Sequence, residues 1–145
     1  MLQVKSCGVI IFRQTPELSF LLMKHSHRYD LPKGHTEEGE TEIETALREM
    51  WEETGIPREE VQLDPDFRYE EKYFPVEPRF GNERVEKTLV IFLGWIKQNF
   101  PIAVTEHAGH EWKRWHPPHE IQRFTINPLL AALLKHFETH TLPRV

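Results

Sequence analysis

An α/β fold, with a mixed sheet and a helix on each face, is predicted from three observations. Short apolar runs of strand length stand before and after a long amphipathic helical pattern. A second, more apolar helical pattern closes the chain. No repeat, low-complexity tract or linker divides the 145 residues, so one domain over 1–145 is expected. A chain of that size hides about two-thirds of its unfolded surface, enough for a real core.

The elements follow in order. Ser6–Phe12 and Ser19–Lys24 are apolar and partly β-branched, and the polar stretch Gln14–Glu17 with Pro16 separates them, so they read as a hairpin or neighbouring strands. Asp30–His35 is a turn-rich loop. Thr41, followed by Glu44, forms a capping-box pattern at the start of a helix. Ile43, Ala46, Leu47 and Met50 recur at helical spacing, and Gly55 with Pro57 beyond it is a natural stop. Val61–Tyr73 is a third β region, and Lys87–Ile96 carries the strongest strand pattern. Pro75–Arg84, with two Pro, a Gly and an Asn, reads as a loop, as does Thr105–His110. Glu111–His116 is a short strand in which Trp112 and Trp115 are expected to pack. In the last helix Asn127 is the expected cap, Pro128 the first helical residue, and Leu129, Leu130, Leu133, Leu134 and Phe137 the buried stripe.

Composition narrows the class. At 39% hydrophobic and 28% charged the chain is globular rather than disordered or collagen-like. Cys7 is the sole cysteine, which excludes an intramolecular disulfide. No apolar run approaches the ~20 residues that span a bilayer, and Met1–Phe12 lacks the pattern of a signal peptide, so a cytoplasmic protein without a membrane partner is expected. The net charge of −5 argues against a broad basic face and a stable nucleic-acid partner. That charge is concentrated: residues 37–53 hold eight Glu and one Arg, net −7, which leaves the rest of the chain at +2. A monomer or weak dimer is expected.

On the first helix Glu49, Glu52 and Glu53 stand at i, i+3 and i+4 and share one face beside the apolar stripe. Like charges at this spacing repel, and Arg48 is the single counter-charge in the helix. Acidic faces are usually just solvated. Crowded carboxylates also suit a hard divalent cation such as Mg²⁺, which prefers oxygen ligands and bridges phosphates. His107, His110, His116 and His119 lack cysteines and the spacing of a structural zinc site, so zinc is not expected.

The complete spacing decides between a solvated face and a site. Gly34, five residues, Glu40, seven residues, Arg48-Glu49, apolar Met50, one residue, Glu52-Glu53, one residue, Gly55 and apolar Ile56 resemble the signature of the Nudix hydrolases at every fixed position. The box spans 34–56. The resemblance implies an α/β/α sandwich around a mixed sheet. It also implies hydrolysis of a nucleoside diphosphate linked to another moiety, with Mg²⁺ or Mn²⁺ as cofactor and a small-molecule nucleotide as substrate. Carried over residue by residue, it makes Glu52 and Glu53 metal ligands, Glu49 a ligand or the general base, and the Gly34 carbonyl a further ligand. Arg48 would orient the glutamates and Glu40 would brace the loop. Lys33, directly before Gly34, can supply a cation to the phosphates.

Features outside the box are similar to the asymmetrical diadenosine tetraphosphate (Ap4A) hydrolases: Cys7–Arg13, Leu31–His35, Tyr73 placed 17 residues after Ile56, and Glu106-His107 ahead of Trp112. On that resemblance Ap4A would give ATP and AMP. Tyr73 would stack on adenine. Lys33, His35, Lys72, Lys87 and His107 would meet phosphate or substrate, and Glu106 would be a second base or extra ligand. Pro75–Arg84 is longer than in the animal members, and its Arg79 and Arg84 bear on the phosphate pocket. Other Nudix substrates remain as alternatives: (d)NTPs, triphosphorylated RNA ends and, less favoured because Glu71 and Lys72 stand where a proline is usual, ADP-ribose. The non-enzyme alternative is a nucleotide-sensing Nudix-like domain, which the intact glutamates disfavour.

Overall fold

The structure is a computed structural model that describes residues 1–103 and 108–144. Its centre is a parallel pair. β1 (Gln3–Arg13) runs beside β8 (Glu86–Ile96) in unbroken register from Gln3↔Glu86 to Phe12↔Trp95. β5 (Val61–Tyr73) lies antiparallel on the far edge of β8, with a bulge between Leu63 and Arg68. β2 (Ser19–Lys24) pairs with β1 only at Phe12↔Phe20 and Arg13↔Ser19, then diverges. β3 (Tyr29–Asp30) joins the edge of β2 that faces β1, and β9 (Gly109–Arg114) pairs along the whole of β2. β4 (Lys33–His35) takes the start of β1 at Ser6–Gly8. The result is a seven-stranded mixed sheet.

The gap left where β2 departs from β1 is crossed by Leu31–Lys33. Val9 N–H donates to Pro32 O at 3.3 Å. Gly8 makes the crossing possible, since a Cβ there would lie 2.4 Å from Pro32 O. This packs the segment leading into Gly34 directly on the central strand.

Strand alternation divides the core in two. Cys7, Val9, Ile11, Leu21, Met23, Val90 and Phe92 face α1 (Glu42–Thr54), which contributes Ala46, Leu47 and Met50. Ile10, Phe12, Phe20, Leu22, Leu89, Ile91, Leu93 and Trp95 face α2 (Ile126–Thr139), which contributes Ile126, Leu129, Leu130 and Leu133. A helix on each face of a mixed sheet is the expected α/β/α sandwich. Trp115 packs its edge against Phe12, Phe20 and Phe137, and Trp112 lies under the Arg13 guanidinium at 4.2 Å.

Four local expectations are corrected. Pro75–Arg84 is not an irregular loop: β6 (Val76–Glu77) and β7 (Glu83–Arg84) pair around a 3₁₀ turn at Pro78–Phe80, and Gly81 (φ 74°) and Asn82 (φ 58°) reverse the chain. Two pairs are too few to leave a periodic trace in sequence. Asp30–His35, read as loop, holds the last residue of β3 and all of β4. The late strand runs over Gly109–Arg114 rather than Glu111–His116, because β2 supplies partners as far as Gly109. Finally α2 begins at Ile126 after Thr125 (φ 64°), not at Pro128. Asn127 is spent elsewhere: its Oδ1 accepts from the Ile121 and Gln122 N–H groups, both at 2.9 Å, and its amide donates to Glu120.

Candidate active site

The site is built where α1 meets the β4 segment. The helix entry is locally determined: Thr41 Oγ1 accepts from Glu44 N–H, Glu44 Oε1 accepts from Thr41 N–H, and Gly55 (φ 79°) closes the other end by donating to Trp51 O. With the apolar stripe docked on the sheet, the adjacent stripe places Glu49 and Glu53 against the loop. Glu53, only 5% exposed, accepts the Lys33 N–H at 2.6 Å. Glu49 lies on Gly34 so closely that a Cβ there would stand 2.2 Å from its carboxylate. A Cβ at 34 would push the Glu49 carboxylate aside, so glycine here leaves room for that carboxylate and serves no special backbone angle.

Arg48 organises the remaining charge. Its Nε and Nη2 hold both oxygens of Glu40 at 2.7 and 3.0 Å, Nη2 also donates to His35 O at 3.0 Å, and Nη1 donates to Glu49 at 2.9 Å and Glu52 at 3.2 Å. Glu40 further accepts from Thr45 Oγ1 and Glu37 N–H, each at 2.9 Å. The Arg48 bonds, aided by those of Glu37 and Thr45, hold the Glu40 carboxyl at a pKa of about 2, and the Glu40 bonds push the Arg48 guanidinium up. One arginine thus ties the loop, the brace and two helix carboxylates together.

Among the described residues no three carboxylate or imidazole groups converge as a ready-made metal cage. The donor set nevertheless fits a hard divalent cation. Glu49, Glu52 and Glu53 share one helix face, Gly34 has no Cβ to separate its backbone from Glu49, and Arg48 is the counter-charge a cation would partly replace.

From Lys33 a cleft of about 970 Å³ extends along the face of the sheet that carries α2. Lys33, Tyr73 and Lys87 all line it, and Tyr73 and Lys87 are cross-strand partners on β5 and β8. Burial raises the pKa of the Tyr73 hydroxyl, while its ring keeps an exposed face and lies 6.0 Å from Lys87 Nζ. Both lysines are held by acids: Lys33 by the buried Asp30 at 3.5 Å and Lys87 by Glu77 at 3.1 Å. Lys72 also borders the cleft, but β5 alternation turns it away from Tyr73, to the side where it lies with Glu70 and Thr88 around a separate shallow hollow.

His35 sits beside the cleft rather than in its lining and contacts the Arg79 guanidinium. Burial, and then the cations Arg79, Lys87 and Lys33, lower its pKa. Glu106 and His107 lie outside the described residues.

The structure adds residues that the sequence reading missed. Phe74 and Phe124 line the cleft, and Phe124 is 73% exposed, an unusual cost for a phenyl ring. Its sole signal in the sequence is an aromatic residue in a polar run, which does not distinguish a core residue from a stacking one. Gln122 fixes that end of the cleft by accepting from Tyr29 N–H at 2.8 Å and donating to Tyr29 O at 3.1 Å. A smaller hollow of about 470 Å³ lies on the flank of α1 near Trp51 and Arg58, and it reaches neither Lys33 nor the strands.

The NUDIX domain model matches residues 2–137. The chain is 34% identical over 121 residues to the bis(5'-nucleosyl)-tetraphosphatase [asymmetrical] of Mus musculus, covering 75% of this chain and 78% of that protein. A crystal structure of a C. elegans Ap4A hydrolase binary complex superposes with a TM-score of 0.75 at 26% identity, covering 92% of this chain and 99% of that one. An RNA pyrophosphohydrolase of Cereibacter sphaeroides is 56% identical over only 35 residues, 24% of this chain and 22% of that protein.

Proposed function

The chain belongs to the NUDIX domain family, and from that premise we propose that it hydrolyses dinucleoside polyphosphates, Ap4A above all, with Mg²⁺ or Mn²⁺. The observation that carries this reading is one juncture. At Lys33 the carboxylate face of α1 meets a cleft whose lining is aromatic and cationic, the chemistry of a base and a phosphate chain.

In this reading Glu49, Glu52, Glu53 and the Gly34 carbonyl hold the divalent ion, Arg48 orients the carboxylates, and Glu40 braces the loop through Arg48. A bound divalent ion supplies neutralisation of phosphate charge and a nucleophile from water at neutral pH. Lys33, His35, Lys72 and Lys87 receive phosphate charge, joined by His107. Tyr73 stacks on a base, and Phe124 across the cleft offers a second aromatic surface. Water attacks one phosphorus, the anhydride P–O bond breaks, and Ap4A leaves as ATP and AMP. The proton of the water passes to a carboxylate of the set, Glu49 or Glu106. The protein works as a single cytoplasmic domain, monomer or weak dimer, on a small nucleotide. No helix among the described residues is long and apolar enough to cross a membrane.

Incubation with Ap4A and Mg²⁺, followed by chromatography, tests the reading. Equal amounts of ATP and AMP are expected. ADP as the main product, or an inert Ap4A beside rapid turnover of dGTP, triphosphorylated RNA or ADP-ribose, would overturn it. The RNA-end alternative is the weaker one, because similarity to Ap4A hydrolases extends over three-quarters of the chain and that to the RNA enzyme over a quarter.

A further inference from the structure

The β6–β7 hairpin carries a cation, Arg79, that differs from Lys33 and Lys87 in its partner. Lys33 and Lys87 each have a carboxylate partner. The Arg79 guanidinium has none among the described residues: its Nη2 meets only the imidazole of His35, and its carbon lies 4.7 Å over the Phe80 ring. A guanidinium presents five donors in a planar fork, and a ring nitrogen satisfies one of them. A phosphate satisfies two in parallel and adds opposite charge.

The position of Arg79 is set by the hairpin. Pro78 opens the 3₁₀ turn that holds it, and Glu77, one strand residue earlier, engages Lys87. The hairpin is tied at its base by Val85 N–H to Pro75 O at 3.0 Å and by Arg84 to Phe74 O. At the other end of the contact, His35 belongs to the loop whose carbonyl oxygen binds Arg48. The guanidinium stacks on Phe80 and turns Nη2 to His35, two residues after Lys33 of the cleft lining.

We propose that Arg79 is a substrate-binding residue that exchanges His35 for the phosphate chain of a nucleoside polyphosphate, engaging phosphates beyond the one nearest Glu53 and favouring longer chains. This rests on the reading of the cleft as a polyphosphate site. The hairpin is then a specificity element rather than a surface embellishment.

The test is calorimetric titration of inorganic tripolyphosphate and of AMP into the wild type and Arg79→Ala, together with kcat and KM for Ap4A. Arg79→Ala is expected to weaken tripolyphosphate by about tenfold, the low end for a charge-assisted pair partly open to water. KM for Ap4A rises by a similar factor while kcat stays within about twofold. AMP affinity is unchanged, since AMP has no outer phosphates. Equal tripolyphosphate affinity in both proteins, or an equal loss for AMP, overturns the proposal. If Ap4A is not hydrolysed but tripolyphosphate binding still depends on Arg79, the substrate reading fails and this inference stands.

Discussion

α1 and α2 cover opposite faces of one sheet with apolar stripes of similar depth, yet their electrostatics differ. α2 ends with His136 in its last turn, bonded to Asp64 at 2.7 Å, and carries no cluster of like charge. α1 has no basic residue in its last turn and places Glu52 and Glu53 there, at the negative end of the helix dipole. Carboxylates at that end cost roughly 0.3–1 kcal/mol each at the surface. Arg48 offsets part of that cost through Glu49 and through its i,i+4 partner Glu52. A local rule broken without structural gain marks a functional surface. The two helices show the contrast within one fold: α2 pairs its apolar stripe with scattered polar contacts, α1 pairs its stripe with a concentrated carboxylate face.

Three experiments sharpen that contrast. The largest effect is expected from Glu53→Gln, which keeps an acceptor for the Lys33 N–H but removes the charge. Turnover should fall by about 10²–10⁴-fold, with circular dichroism showing an intact fold. Retained turnover would sink the assignment of α1 as the chemical helix. Leu133→Ala on α2 should invert the pattern. This fully buried side chain is worth about 2–5 kcal/mol in urea unfolding, while activity per folded molecule stays at the wild-type level. A matching loss of specific activity would mean that α2 reaches into the chemistry.

The smallest effect concerns acid stability. Arg68, then Lys5, holds the Glu42 carboxyl at a pKa of about 2, below its ordinary 4.5. The unfolded chain therefore binds more protons between about 4.5 and about 2, so stability rises with pH across that window and is complete above it. Glu40 acts in the same direction. Glu42→Gln should lower stability near neutrality and flatten the acid limb of the unfolding curve. Curves for variant and wild type that run parallel through the window would show that the Glu42 contacts are not made in solution.

Legibility followed the range of the interactions. α1 could be read to its ends because Thr41, Glu44 and Gly55 act within a turn of the residues they cap. The start of α2 could not, since Asn127 has the chemistry of a cap but serves Ile121 and Gln122 instead. The β6–β7 hairpin was hidden behind turn residues, and Lys72 and Tyr73, adjacent in sequence, were separated onto opposite faces by the pleat.

By itself the amino-acid order determined the carboxylate helix, the glycine before it, the basic residues around it and the mixed α/β class, because spacing on one helix and alternation along one strand are local geometry. The cleft was decided by the tertiary structure alone. Lys87 faces Tyr73 only through the pairing of β5 with β8, and Phe124 reaches the cleft only because the Gln122 side chain ties its loop to Tyr29. Such contacts join residues far apart in the chain, and their free energy exists only once the sheet has closed.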